Sequence, residues 1–181
     1  MNKKQDIIQA AERLFYLNGF HATSTDNICR EAGVSTRTLY RYFPSREALT
    51  AAIMNERRER FFSALCPPEE PESISHLFNV MGKWMNDYGI KGCFFLKVWS
   101  EYAEKEPMLA EQAMAYRHAM RAYIATCISH SCGRENPPLA DAIWTLFEGT
   151  LTTALVMGAP EACERGKMVS LQLIHSFSGC P

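Results

Sequence analysis

Apolar residues recur every three or four positions along most of the chain, the spacing of helices that bury one stripe. Over residues 3–18, Ile7, Ala11, Leu14 and Phe15 form such a stripe, and Gly19 ends it. Ser24 is a suitable N-cap for a second helix, with Asp26 in its positive first turn, and Ala32-Gly33 closes it. A third helix starts at Ser35 and stops before Pro44; Ser45 caps a fourth, from Arg46 to about Leu65. The prolines and acids of "CPPEEPES" (66–73) break the pattern. Beyond them it predicts helices at 73–88, near 93–104, from Pro107 to about 131, at 139–157 and at 161–177. "GRENPP" (133–138) and "GAP" (158–160) separate the last three. No stretch alternates as a strand would. The expected fold is all-α, with about nine helices in two parts, four of them before "CPPEEPES" and the rest after it.

Composition adds bounds. With 181 residues, 47% of them hydrophobic, the chain can bury a substantial core. It has no uncharged apolar run long enough to span a bilayer, and the N-terminus lacks the apolar stretch of a secretory signal, so the expected location is the cytoplasm. Seven cysteines at irregular spacing argue for reduced thiols rather than a disulfide framework. Cys127, His130 and Cys132 lie close together but lack a second ligand pair, so no metal is expected. Charge is uneven. Residues 1–62 carry ten Lys/Arg against seven Asp/Glu, the remainder nine against thirteen, which suits a polyanion-binding head on a body with another task.

The chemistry concentrates at "GVSTRTLYRYFPSREAL" (33–49). Two short helices joined by "AGVS" form a helix-turn-helix: Gly33 makes the turn, Val34 fills the angle and Ser35 caps the second helix. That second helix must fit a major groove about 12 Å wide, so one face must be anchored and another free of apolar bulk. At about 100° per residue, Leu39 and Phe43 project to one side, to anchor alongside Ile28. Thr36, Arg37, Tyr40 and Arg41 spread over a neighbouring arc, with Tyr42 at its flank. Arg37 can fork onto a guanine edge and Thr36 can meet a base or a thymine methyl. Thr25, Tyr40 and Tyr42 can donate to phosphates, and Arg46, opening helix four, can clamp another. Each residue alone also reads as part of a solvated helix face; the caps, the turn and the two-faced helix together point to DNA.

"FYLNGFHATSTDNICREAGVSTRTLYRYFPSREAL" resembles the DNA-binding head of the TetR family of bacterial transcriptional repressors, closely over residues 7–54. Later residues agree in helix count and length, and "KGCFFLKVWSEYAEKEPML" (91–109) is similar to the segment before the long central helix of some members. The resemblance implies a three-helix helix-turn-helix head over 1–62, linked by the fourth helix to a helical bundle over 63–181, and that Thr25, Thr36, Arg37, Tyr40, Tyr42 and Arg46 occupy positions that touch DNA. Three of them depart from the commonest pattern: Arg37 replaces a frequent glycine, Tyr42 a frequent histidine and Arg46 a frequent lysine.

A palindromic operator needs two heads, hence a homodimer. The expected interface is the hairpin of helices 139–157 and 161–177. There Gly149, Thr150, Thr152 and Thr153 keep one surface small, while Leu146, Leu151, Leu155, Leu171, Ile174 and Phe177 supply apolar area. The middle of the chain is rich in aromatics: Trp84 and Tyr88; Phe95, Trp99 and Tyr102 at i, i+4, i+7; Tyr116, Met120, Tyr123 and Cys127; then Trp144, Phe147 and Glu148. Aromatic stripes ordinarily build core, but an aromatic-lined cavity with Tyr102, Tyr116 and Glu148 as polar handles would bind a small molecule. The resemblance implies such an effector pocket, and with it a repressor released by its ligand. No nucleotide loop, nucleophile elbow or zinc-protease motif supports an enzyme, so no catalytic residue and no cofactor is expected. A helical module using its basic head on a protein or an acidic membrane is the remaining rival; sequence-specific duplex binding separates it.

Overall fold

The computed structural model describes residues 2–178. Among them nine helices form and no strand: α1 (Lys3–Asn18), α2 (Thr25–Ala32), α3 (Thr36–Tyr42), α4 (Arg46–Ser63), α5 (Ser73–Tyr88), α6 (Phe94–Tyr102), α7 (Pro107–Cys132), α8 (Pro137–Met157) and α9 (Ala159–Ser178). The all-α class and helix number match the expectation. Two starts come earlier than the apolar pattern predicts. Pro137 and Pro160 lie inside first turns rather than in the breaks, because proline's missing N–H has no helical partner there anyway. Asn136 caps α8, its Oδ1 accepting the Leu139 N–H at 3.3 Å.

The chain folds into two compact units, Met1–Arg60 with Phe94–Tyr116, and Phe61–Cys93 with Arg117–Pro181. The divisions fall inside α4, just before α6 and inside α7. Packing thus groups α6 with the head helices, whereas a linear split at 62/63 assigns it to the body.

In the first unit α1 presents Ile7, Ile8, Ala11 and Phe15 inward, with Leu14 only half-buried at the stripe's edge. Phe20 sits at the centre, 4.8 Å from Phe15, 5.2 Å from Phe94 and 5.7 Å from Tyr102 between ring centroids. Ile28, Leu39, Phe43, Leu49 and Ile53 complete this core. One charged group enters it. Glu12 is buried and accepts hydrogen bonds from Arg57 and, at 2.6 and 2.7 Å, from Arg60, while the Arg57 guanidinium lies 5.0 and 4.8 Å from the Tyr16 and Phe94 ring centres. Two buried charges, Glu12 and Arg57, answer each other, and the half-buried Arg60 completes the cluster.

The second unit packs α9 against both α5 and α8. Ile74, Leu77, Phe78, Met81 and Met85 form the buried face of α5. Met120, Ile124, Cys127 and Ile128 line α7's inner face. Gly166 allows the close approach: a Cβ there would fall 2.7 Å from Phe78 Cε1 and collide with Thr150 Oγ1. Cysteines 29, 66, 127, 132 and 163 are free thiols, Cys93 Sγ accepts from Arg117 at 3.8 Å, and Cys180 lies outside the described residues.

Candidate nucleic-acid interface

The helix-turn-helix is assembled by local rules. Ser24 holds an extended backbone and its Oγ accepts the Asn27 N–H at 3.1 Å, capping α2. At the other end Gly33 takes φ 62°, ψ 36°, a left-handed conformation open to glycine. The Val34 N–H then reaches the Cys29 carbonyl at 3.0 Å and the Gly33 N–H the Arg30 carbonyl at 3.3 Å, a paired closure that answers two orphan carbonyls. Two residues later Ser35 caps α3 by accepting the Thr38 N–H at 3.2 Å, and its Oγ lies 2.9 Å from Thr38 Oγ1.

The short α3 has two chemistries. Leu39 is buried within it, as are Phe43 just past its end and Ile28 on α2. Cys29 is buried beside them. Thr36, Arg37, Tyr40, Arg41 and Tyr42 are exposed, and the Arg41 guanidinium lies 5.1 Å from the Tyr42 ring centre. So large a phenol as Tyr40, 49% exposed on a helix whose other face is core, is the feature a groove-reading helix requires. Thr25 is half-buried in the first turn of α2 and, with Tyr40 and Arg46, borders a shallow dent floored by Ile28, Leu39 and Leu49.

Two candidates are already partnered within the head. Ser35's hydroxyl is engaged by the cap that its position before α3 predicts. Arg46 donates from Nη1 to the Phe20 carbonyl at 2.8 Å and lies 5.6 Å from the Phe15 ring centre. Its guanidinium therefore braces the α1–α2 turn, which leaves its outer edge for any anion.

The aromatic candidates fall into both units. In the first, Phe95 and Tyr116 stack on each other with centroids 3.7 Å apart. Tyr102 is buried, and burial pushes its phenol up from the ordinary value. Trp99 does not share this buried face; at 43% exposure it lies just past the edge of the buried stripe of α6, formed by Phe94, Phe95, Val98 and Tyr102. The reason is angular: Phe94 and Val98 rotate the buried sector away from Trp99. In the second unit Trp84 packs edge-on to Phe61 at 5.2 Å and lies 4.3 Å from Tyr88. Met120 is fully buried. Tyr123 donates to the Cys66 carbonyl at 2.9 Å, and its phenol is pushed up by burial first and by the neighbouring thiols second. Trp144 stacks on Phe147 at 5.7 Å.

Three residues carry interactions that local pattern did not signal. Arg117 pairs with Glu148 at 2.7 Å and lies 5.5 Å from the Trp144 ring centre. Burial raises the Glu148 pKa, and the Arg117 charge only partly offsets it. Glu101 accepts backbone hydrogen bonds from Phe20 and His21, and Lys97 donates to the Tyr16 carbonyl. These partners are 31 or about 80 residues apart, so no sequence spacing announces them. Among the described residues no three His, Cys, Asp or Glu side chains are grouped to hold a metal, and no helix is long and apolar enough to cross a membrane.

A cap-turn-cap helix pair presenting hydroxyls, phenols and guanidiniums from an anchored frame defines a helix-turn-helix protein of the DNA-binding class. Comparison with known proteins is specific about which. Residues 7–53 match the model of bacterial regulatory proteins of the tetR family, and residues 71–168 that of the tetracyclin repressor-like C-terminal domain. The chain belongs to the TetR family of transcriptional regulators. The Escherichia coli HTH-type transcriptional regulator UidR is 41% identical over 75 residues, 41% of this chain and 37% of the relative. Escherichia coli RutR is 44% identical over 54 residues, 30% of this chain and 26% of that one. The matched stretch therefore spans well under half the length of these relatives. A TetR-family regulator from Streptomyces coelicolor shares the fold over 97% of this chain and 96% of its own, with TM-score 0.88 and 18% identity.

Proposed function

We propose that this regulator is a repressor that binds a palindromic operator as a homodimer and leaves it when a small molecule occupies the body. The observation that carries the reading is α3: Leu39 anchors it while Thr36, Arg37, Tyr40 and Arg41 stand exposed. Arg37 and Thr36 read base edges, and Arg41 extends that edge. Tyr40, Tyr42 and Thr25 fix register on phosphates, with Arg46 and Ser35 supporting them from the turn and the cap. Residues 1–62 serve as the DNA-binding domain and 63–181 as the regulatory one, in a cytoplasmic protein.

The dimer forms through α8 and α9. Leu155, Val156, Met157, Met168, Leu171 and Phe177 are all exposed there, Val156 by 88%, more apolar surface than a helical hairpin leaves to water without a partner. Gly149, Thr152 and Thr153 are exposed beside them and keep the surface low enough for close helix packing. The effector is taken by aromatic candidates of the middle segments, its polar handle drawn from Tyr102, Tyr116 and Glu148. It weakens DNA binding by its differential affinity for the two head spacings, and by no more than that. α4 is the lever and residues 66–73 the hinge.

Selection of duplexes from a random pool by the purified protein tests this. The expected product is an inverted repeat with half-site centres about 34–36 Å apart, or a multiple of that. Recovery of no enriched sequence would sink the regulator reading; an unrepeated half-site would sink the homodimer. The selected site's genomic neighbours then supply candidate effectors, and one that saturates the protein without changing operator affinity would rule out ligand release.

A further inference from the structure

The turn between α1 and α2, residues 19–24, sets where the helix-turn-helix begins, and it contains N–H groups that no helix satisfies. Two of them point at one side chain from 80 residues away. Glu101 Oε1 accepts the Phe20 N–H at 3.0 Å and Oε2 accepts the His21 N–H at 2.9 Å. The His21 ring adds Nδ1 at 3.6 Å from Oε2. Gly19 is fitted to this contact: at φ 92° it disfavours any side chain, and a Cβ there would crowd Glu101 Oε1 at 3.2 Å. One turn earlier on α6, Lys97 donates to the Tyr16 carbonyl at 3.3 Å, a cation at the negative end of α1. Phe94 and Tyr102 pack on Phe20 beside them.

Phe20 is thereby held twice through its backbone, its N–H by Glu101 of α6 and its carbonyl by Arg46 of α4. Only a carboxylate can accept from both neighbouring N–H groups, one per oxygen, and charge-assisted bonds of this kind are the stronger class. Four residues on stands Ser24, the cap of α2, followed by Thr25. We infer that Glu101 is a positioning residue of the DNA-binding head: through the α1–α2 turn it fixes the attitude of α2, and with it the presentation of α3. Any displacement of α6 is then passed to the reading helix through this carboxylate. The functional part of this inference rests on the DNA-binding reading above.

The test compares the full-length protein with Glu101→Gln and Glu101→Ala, using Glu104→Gln, an exposed neighbour, as control. Amide hydrogen exchange is followed at Phe20 and His21, and affinity is measured for the selected duplex and for a scrambled one. In Glu101→Ala both amides should exchange at least about tenfold faster, and specific affinity should fall about tenfold while scrambled-duplex affinity holds. Glu101→Gln keeps the shape and one acceptor, so it should fall between, and it remains informative should the alanine variant fold poorly. Unchanged exchange at both amides overturns the inference. So does a parallel loss of specific and non-specific affinity, which marks only a smaller folded fraction. If the unaltered protein binds no duplex at all, the regulator reading fails and the positioning role with it, while exchange still decides whether Glu101 holds the turn.

Discussion

The α3 face and the α8–α9 face are both left to solvent, yet they are built from opposite materials. On α3 the exposed groups are hydroxyls, phenols and guanidiniums around a buried Leu39. On α8 and α9 they are Leu155, Val156, Met157, Leu171 and Phe177. A polar, cationic helix face is comfortable in water and gains from a polyanion through counterion release, a gain that salt removes. An apolar face is unfavourable in water and gains from another protein surface, with little salt dependence. On the proposed reading each face has a different partner, and raising ionic strength should then weaken the DNA contact while leaving the proposed dimer intact.

The sharpest way to break this contrast is to place charge on the apolar face. Leu155→Glu combined with Leu171→Glu alters two exposed side chains, so helicity should survive by circular dichroism. Sedimentation should report a monomer, and operator affinity should fall by about 10²-fold or more as the second head's contribution is lost. A dimer that persists would mean that this face serves another partner. Inside the same hairpin, Gly166→Ala pushes a methyl against the Phe78 ring and Thr150, and should cost about 1–3 kcal/mol in a urea melt. An unchanged melt would show that α5 and α9 can separate freely. On the polar face Arg37→Ala should cost about 1–3 kcal/mol at one base pair and relax preference there, leaving scrambled-duplex affinity almost unaltered. An equal loss on every duplex would demote Arg37 to a phosphate contact.

How legible each face was in the sequence follows from the range of the interactions that make it. Ser24, Gly33 and Ser35 act on residues within five positions, and so the caps, the turn and the boundaries of α2 and α3 could be read directly from residue type. The 3.6-residue period likewise separated Leu39 from Arg37. Tertiary partners could not be read. The inward bend of Arg46 depends on a carbonyl 26 residues away, and Glu101's two acceptors are filled from 80 and 81 residues away. Trp99 shows the limit of periodicity itself: a stripe drawn through i, i+4 and i+7 was off by enough, on a nine-residue helix, to place an exposed tryptophan among buried rings. Glu12 was hidden for a related reason, since only the arginines of α4 make its burial tolerable.

The smallest expected effect asks whether the polar face is held by its frame or only by its anchor. Ser35→Ala removes the Oγ that accepts the Thr38 N–H and meets the Thr38 hydroxyl, at a cost of about 0.5–2 kcal/mol in thermal unfolding. Ser24→Ala removes an equivalent cap from α2 and should cost a similar amount. The two should differ on DNA. α3 has only seven residues, so fraying its first turn disturbs Thr36 and Arg37 directly, whereas on the proposed reading α2 contributes Thr25. Specific affinity should therefore fall more for Ser35→Ala than for Ser24→Ala at equal loss of stability, and Ser35→Asp, which restores an acceptor, should recover most of the melt. Equal losses on DNA would mean that Leu39 and Phe43 hold the reading helix without help from its cap.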